Sequence, residues 1–180
     1  MLRIRTRRNV WKNKKKWIFL AIAVFLLILF GLYRYYIYVT QDIRAEETTA
    51  ILKAKQESGL VKVTESYKSV WDSVCWVIEG LDKENRPVMV WVRMEGGGKV
   101  KAGEGTVHQE LLADGMSETQ IKQKIQQEMP DADKMKLTPG MYNGEYVWQL
   151  FYRSKDHYYY QFYRFRDGKS IGGPFTLPNR

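Results

Sequence analysis

Trp71-Asp72-Ser73-Val74-Cys75-Trp76-Val77-Ile78-Glu79, then Asp82-Lys83-Glu84-Asn85, then Val88-Met89-Val90-Trp91-Val92-Arg93-Met94, reads as two strands joined by a polar hairpin tip. The pattern returns later in the chain. A shift of 72 residues without a gap puts Trp148 on Trp76, Lys155 on Lys83, Asp156 on Glu84, Tyr163 on Trp91 and Asp167-Gly168 on Glu95-Gly96. Two copies at so long a period indicate a duplicated small domain, not a solenoid array.

Working outward, each copy begins with a helix. The first covers about Asp42 to Ser58, continues an apolar segment and stops at Gly59. The second is marked by the capping box Ser117-Glu118-Thr119-Gln120 after Gly115. It carries Ile121, Ile125 and Met129 on one face and ends before Pro130. Strands are expected over Leu60–Lys68, Trp71–Glu79 and Val88–Met94 in the first copy, and over Lys134–Met141, Glu145–Arg153 and His157–Arg166 in the second. The Asp167-Gly168-Lys169 turn leads to a short last strand near Ile171, and the five glycines between Gly96 and Gly105 read as the connection between copies. Each copy is therefore α+β, a helix packed on an antiparallel sheet.

One helix covers only one face of a sheet, so the other face carries information. Tyr158, Tyr160 and Phe162 share one side of their strand, and Tyr159, Tyr163 and Phe165 the other; Trp148, Leu150 and Tyr152 likewise oppose Val147 and Phe151. Both faces hold more aromatic surface than one helix covers. Two fates are open: burial of the copies against each other, or an exposed groove for a partner, with Tyr158, Tyr160 and Phe162 as the candidate contact residues.

The amino-terminal end has a different character. Arg3, Arg5, Arg7, Arg8, Lys12, Lys14, Lys15 and Lys16 precede any acidic residue, and an apolar run follows from Trp17 to Val39, broken only by Arg34. Those 23 residues exceed the roughly 20 that a helix needs to span a bilayer. Arg34 near one end reaches the headgroups, and Trp17 with Tyr33, Tyr35, Tyr36 and Tyr38 suits the two interfaces. Bulky Leu32-Tyr33-Arg34-Tyr35-Tyr36 stands where a cleaved signal peptide needs small residues, so the segment reads as an uncleaved anchor. The basic flank predicts a cytoplasmic amino terminus and an external carboxyl terminus. The expected organisation is a basic cytoplasmic tail over 1–16, a transmembrane helix over 17–39, and folded domains over 40–103 and 104–180.

Of 29 Lys and Arg, nine lie before residue 40, which leaves 20 against 20 Asp and Glu; the +9 net charge thus belongs to the tail and anchor. A neutral ectodomain lacks the footprint of a nucleic-acid binder. Catalysis finds little support. His108 and His157 sit in a polar connection and at a hairpin tip, without a further ligand at metal-binding spacing. No Gly-x-Ser-x-Gly elbow is present, Gly96-Gly97-Gly98-Lys99 lacks the spacing of a phosphate loop, and the acid pairs Asp131/Asp133 and Glu46/Glu47 suit a solvated surface. Cys75, the single cysteine, excludes an intramolecular disulfide and reads as a small core residue. No cofactor, metal or small-molecule substrate is expected.

The run Trp76-Val77-Ile78-Glu79-Gly80-Leu81-Asp82-Lys83-Glu84-Asn85 followed by Val90-Trp91-Val92 resembles the first domain of the YpmB/TseB family, single-pass proteins of Gram-positive bacteria associated with cell-wall elongation. Gly115-Met116-Ser117-Glu118, Tyr146-Val147-Trp148-Gln149-Leu150 and Tyr163-Arg164-Phe165-Arg166-Asp167-Gly168-Lys169 resemble later family segments, the last also PepSY-type domains. The resemblance covers about residues 17–175. It implies two tandem cystatin-like domains after the transmembrane helix, and a non-enzymatic role binding a penicillin-binding transpeptidase of the elongation machinery. The long Arg/Lys tail and the aromatic second domain depart from that pattern. Stacked Tyr and Trp faces also suit sugar rings, which leaves a wall-glycan-binding module as an alternative, and the cystatin-like and PepSY resemblance a protease inhibitor as another. The polar Asp82–Arg86 tip is a poor inhibitory wedge.

Overall fold

A computed structural model describes residues 8–95 and 98–178; the expected tail charges Arg3, Arg5 and Arg7 and the Gly96-Gly97 pair lie outside the described residues. The chain divides into two compact units, one ending at Arg44 and the other starting at Ala45. Helix α1 spans Arg8–Ser58. In the first unit, every large apolar side chain from Trp17 to Tyr36 is exposed, Trp17 and Leu27 at 69% each. This apolar helix surface is left uncovered by the described residues and is long enough to cross a membrane, as a single-pass anchor requires.

In the second unit, α1 turns one stripe inward. Ala50 and Ala54, one turn apart and fully buried, let the helix lie close on a sheet, and Ile51 packs beside them. Gly59 ends the helix in the left-handed conformation, φ +70°, that glycine adopts without steric cost. The first sheet has the order β1 (Lys62–Val70), β2 (Val74–Leu81), β3 (Pro87–Glu95) and β5 (Val107–Leu111), with the short β4 (Lys99–Val100) beside the end of β3; all pairs are antiparallel. Residues 107–111, beyond the expected limit at 103, thus complete the first sheet.

Helix α2 (Glu118–Glu128) opens with the expected capping box: Ser117 Oγ accepts from Gln120 N, and Ser117 N donates to Gln120 Oε1 at 2.8 Å. The second sheet is a meander of β6 (Asp133–Tyr142), β7 (Glu145–Ser154), β8 (His157–Arg164) and β9 (Ser170–Thr176). The fold is therefore α+β, a long apolar helix followed by two helix-bearing antiparallel sheets.

Two cores result. Trp76, Ile78, Val88, Val90 and Val92 meet Ala50 and Ala54 of α1 on one face of the first sheet. Cys75, Val77, Met89 and Trp91 on its other face join Ile121 and Ile125 of α2 and the Trp148, Leu150, Tyr152, Tyr163 and Phe165 side of the second sheet. The copies do bury aromatic surface against each other, but only this side of the second sheet. Strand β3 is covered on both faces, which is why it reads as a continuous apolar run.

The 72-residue shift holds for Trp76 and Trp148, each facing the helix of its own copy. It fails for Trp91 and Tyr163. The first hairpin pairs Val77 with Trp91 and the second pairs Trp148 with Tyr163. That is one residue out of step with the shift, and a slip of one exchanges the two faces of a strand. Trp91 consequently points away from α1 into the shared core, where its Nε1 donates to the Gly140 carbonyl at 2.9 Å. Gly140 is required there, since a Cβ would stand 1.7 Å from Gln149 Nε2 and 2.7 Å from Ser69 Oγ.

Candidate functional site

The outer face of the second sheet carries the residues singled out from the sequence, with one correction. Tyr158 and Tyr160 are half-buried and reach the surface, but Phe162 is fully buried and cannot touch a partner. Three rings cover it. Tyr142 of β6 stacks on Phe162 at 4.0 Å and 7°, Trp71 stands edge-on to it at 4.8 Å, and Phe175 of β9 lies at 5.8 Å. Centroid separations of this size match favourable aromatic packing, so Phe162 anchors the cluster from beneath.

Trp71 is the residue that the sequence reading misplaced. It was expected to open the second strand, but Trp71-Asp72-Ser73 forms a bend and β2 begins at Val74. Asp72 Oδ2 accepts from Gly144 N at 3.3 Å, which ties the bend to the β6–β7 turn. The indole thereby crosses from the first copy onto the second sheet, 4.9 Å from Tyr160 and perpendicular enough to be edge-on at 72°. Trp71 and Phe175 remain 37% and 39% exposed. Phe151, stacked on Tyr158 at 5.3 Å, extends the same face.

Beside this face lies a cleft of about 570 Å³ between β1 and β6. Both strands are at the edge of their sheets. Lys68 enters from β1 and is neutralised by Glu46 at 2.6 Å; Ser66 donates to Glu47 of the same helix. Lys136 enters from β6, exposed and without an ion pair among the described residues. On the same sheet the Arg153 guanidinium holds the Asp133 carboxyl below its ordinary range, and Arg164 does the same for Glu145, so those carboxylates are ionised and matched. Lys134 and Lys136 of β6 make no ion pair among the described residues, and of the two Lys136 lines the cleft.

A second hollow, about 360 Å³, surrounds His108. The sequence reading left His108 solvated in a connection; instead it lies on β5, stacked on Tyr146 at 4.0 Å and 2.9 Å from Glu110. Arg166 also reaches Glu110, at 3.3 Å. The other histidine, His157, is exposed at the start of β8. Among the described residues no three His, Cys, Asp or Glu converge on a metal-sized site. Burial excludes Cys75 from solvent and pushes its thiol up to about 12, so it is inert at neutral pH. At the Asp82–Arg86 tip, Asp82 accepts from the backbone of Glu84 and Arg86 and from the Arg86 side chain at 2.8 to 2.9 Å, a closed polar turn with no apolar wedge.

The fold and this site define a class: a helix-anchored protein whose paired α+β copies share a core and present an aromatic face. Residues 49–93 match the family model described as cell wall elongation regulator TseB-like domain. The fold is similar to that of the YpmB protein from Bacillus subtilis, with a TM-score of 0.60 and 22% identity over 71% of this chain and 94% of that one. The family match is confined to residues 49–93, and the likeness to the YpmB protein is one of fold. No curated protein matches it.

Proposed function

We propose that the protein is a non-enzymatic regulator of cell-wall elongation, held in the cell membrane with its amino terminus inside and its two sheets outside, that binds a penicillin-binding transpeptidase or a related wall synthase. The observation that carries this reading is the aromatic face of Trp71, Tyr158, Tyr160 and Phe175, left partly exposed on a unit whose other aromatic side is fully used in the core. The TseB-like segment supplies the cell-wall context. Anchoring raises the local concentration of any partner fixed in the same membrane, so a weak contact is sufficient. The closed polar tip at Asp82 argues against protease inhibition by a wedge.

In cells carrying a photo-crosslinking residue at Lys155, beside the face, fluorescent penicillin should label the captured band. Changing Tyr158, Tyr160 and Phe175 to Ser should abolish that band while membrane insertion persists and melting stays cooperative at a lowered midpoint. Capture of glycan strands alone, or an unchanged band in the folded triple variant, overturns the reading.

A further inference from the structure

The cleft between β1 and β6 shares Trp71, Phe151 and Tyr160 with the aromatic face and narrows the chemistry of what docks there. Its two walls are edge strands, each hydrogen-bonded to a sheet neighbour on one side only. An edge strand offers unpaired backbone groups to an incoming extended segment. The volume, about 570 Å³, lies within the roughly 300–1,000 Å³ typical of sites for a discrete ligand group. Val70 and Trp71 form an apolar lip, 63% and 37% exposed, and Phe151 and Tyr160 line the opposite wall.

The polar groups in the cleft decide between occupants. A sugar chain needs free donors and acceptors for its hydroxyls. Here Ser66 is spent on Glu47, Tyr67 on Glu65 and Gln149 on the buried Ser69 Oγ, which leaves the hydroxyls of Thr138 and Tyr160 on the cleft wall. Trp71 stands edge-on against Tyr160 and Phe162. The charges point to a polypeptide with an acidic residue: Lys68 is already neutralised by Glu46, and Lys136 has no ion pair among the described residues.

We infer that this cleft receives an extended segment of a partner polypeptide that places an aliphatic or aromatic side chain between Trp71 and Phe151 and a carboxylate, one or two residues away, on Lys136. The inference rests on the reading that the partner is a protein and names the part of it that is recognised. Edge-strand hydrogen bonds would supply sequence-independent affinity, and the apolar anchor and the ion pair would supply selection.

The test uses the full chain in detergent micelles and synthetic octapeptides of alternating Thr and Val, with a central benzophenone-alanine followed at the second position by Asp, Asn or Lys. Photolabelling should favour the Asp peptide and map by mass spectrometry to β1, Trp71 or β7. Lys136→Gln should raise the concentration for half-maximal labelling roughly three- to fivefold, the scale of an exposed ion pair. Lys136→Glu should reverse the preference toward the Lys peptide, a result that misfolding cannot produce. Labelling indifferent to residue 136, or no labelling at millimolar peptide, overturns the inference, as does displacement by soluble glycan strands but not by unlabelled Asp peptide. Loss of transpeptidase capture in cells with peptide selection intact would remove the functional reading and leave the cleft; the converse would leave the reading and remove the cleft.

Discussion

Trp91→Phe tests whether the two copies are one cooperative structure. Trp91 is fully buried, belongs by sequence to the first copy and donates its indole N–H to Gly140 of the second at 2.9 Å. Phenylalanine keeps most of the ring packing against Tyr146 and Phe165, whose centroids lie 4.8 and 5.2 Å away. It loses the hydrogen bond, and a buried carbonyl deprived of its donor costs about 1–3 kcal/mol. The smaller ring also leaves a void, worth about 1 kcal/mol if the surroundings relax partially. The expected loss is about 2–4 kcal/mol, a large share of the roughly 5–15 kcal/mol available to a domain. Urea unfolding of residues 45–180, followed by far-UV circular dichroism and by fluorescence, should give one transition by both probes. With a slope of about 1–3 kcal/mol per molar urea, its midpoint should fall by about 1–2 M. Two separated transitions, with one half as stable as in the parent, would refute the shared core. So would a loss well below 1 kcal/mol.

Trp76 and Trp148 are 4% and 3% exposed in the two different cores, so each change to Ala should cost about 3–5 kcal/mol and lower the thermal midpoint; a variant that melts like the parent would show its indole to be dispensable for packing. Burial first, then the Glu65 and Glu118 carboxylates, push the Glu79 carboxyl from its ordinary 4.5 up to about 7, so the folded state holds this proton more tightly than the unfolded chain. Its stabilising contribution is complete below about pH 4.5 and is lost as pH rises through about 7, a shift of about 3 kcal/mol at full strength that solvent access to Glu79 reduces to about 1–2 kcal/mol. Glu79→Gln should therefore raise stability at pH 8 and leave it nearly unchanged at pH 4.5; equal effects at both pH values in urea titrations would contradict the assignment.

Much of this fold could be read from local patterns because local physics sets them. The Ser117–Gln120 box marks the start of α2 through hydrogen bonds made within one turn. The alternation of Trp148, Leu150 and Tyr152 with Val147 and Phe151 gives the two faces of β7 by strand geometry alone. What stayed hidden was decided by contacts between distant segments. Trp71 looks like a strand residue because aromatic side chains favour strands and the apolar run Val74–Ile78 follows closely, whereas the Asp72 bond to Gly144 holds it in a bend. Val107–Leu111 follows a glycine-rich connection and carries His108, Gln109 and Glu110, so its pairing with β3 has no local sign. The face of Trp91 depends on a hairpin register one residue out of step with the repeat. At the site, Tyr158 and Tyr160 were legible, the burial of Phe162 was not, and Lys136 became visible only once its lack of a partner could be seen.

Duplication explains why an aromatic face is left over. Each copy brings two sheet faces and one helix. The first copy covers one face with α1 and gives the other to the shared core; the second gives one face to α2 and that same core, and among the described residues no helix covers its outer face, where Trp71 of the first copy reaches over Phe162. Evolution of a monomeric domain would usually replace such a surface with polar residues, because exposed apolar patches invite aggregation. Here the opposite has happened: Trp71, from the first copy, reaches across to reinforce the face without closing it. The reach is made by a bend fixed through Asp72 and Gly144, so the surface is built by both copies and exists only when they are docked. A partner that binds it reads the assembled state of the pair and not either copy alone. Any change that loosens the Trp91–Gly140 contact should therefore also loosen the frame that holds Trp71.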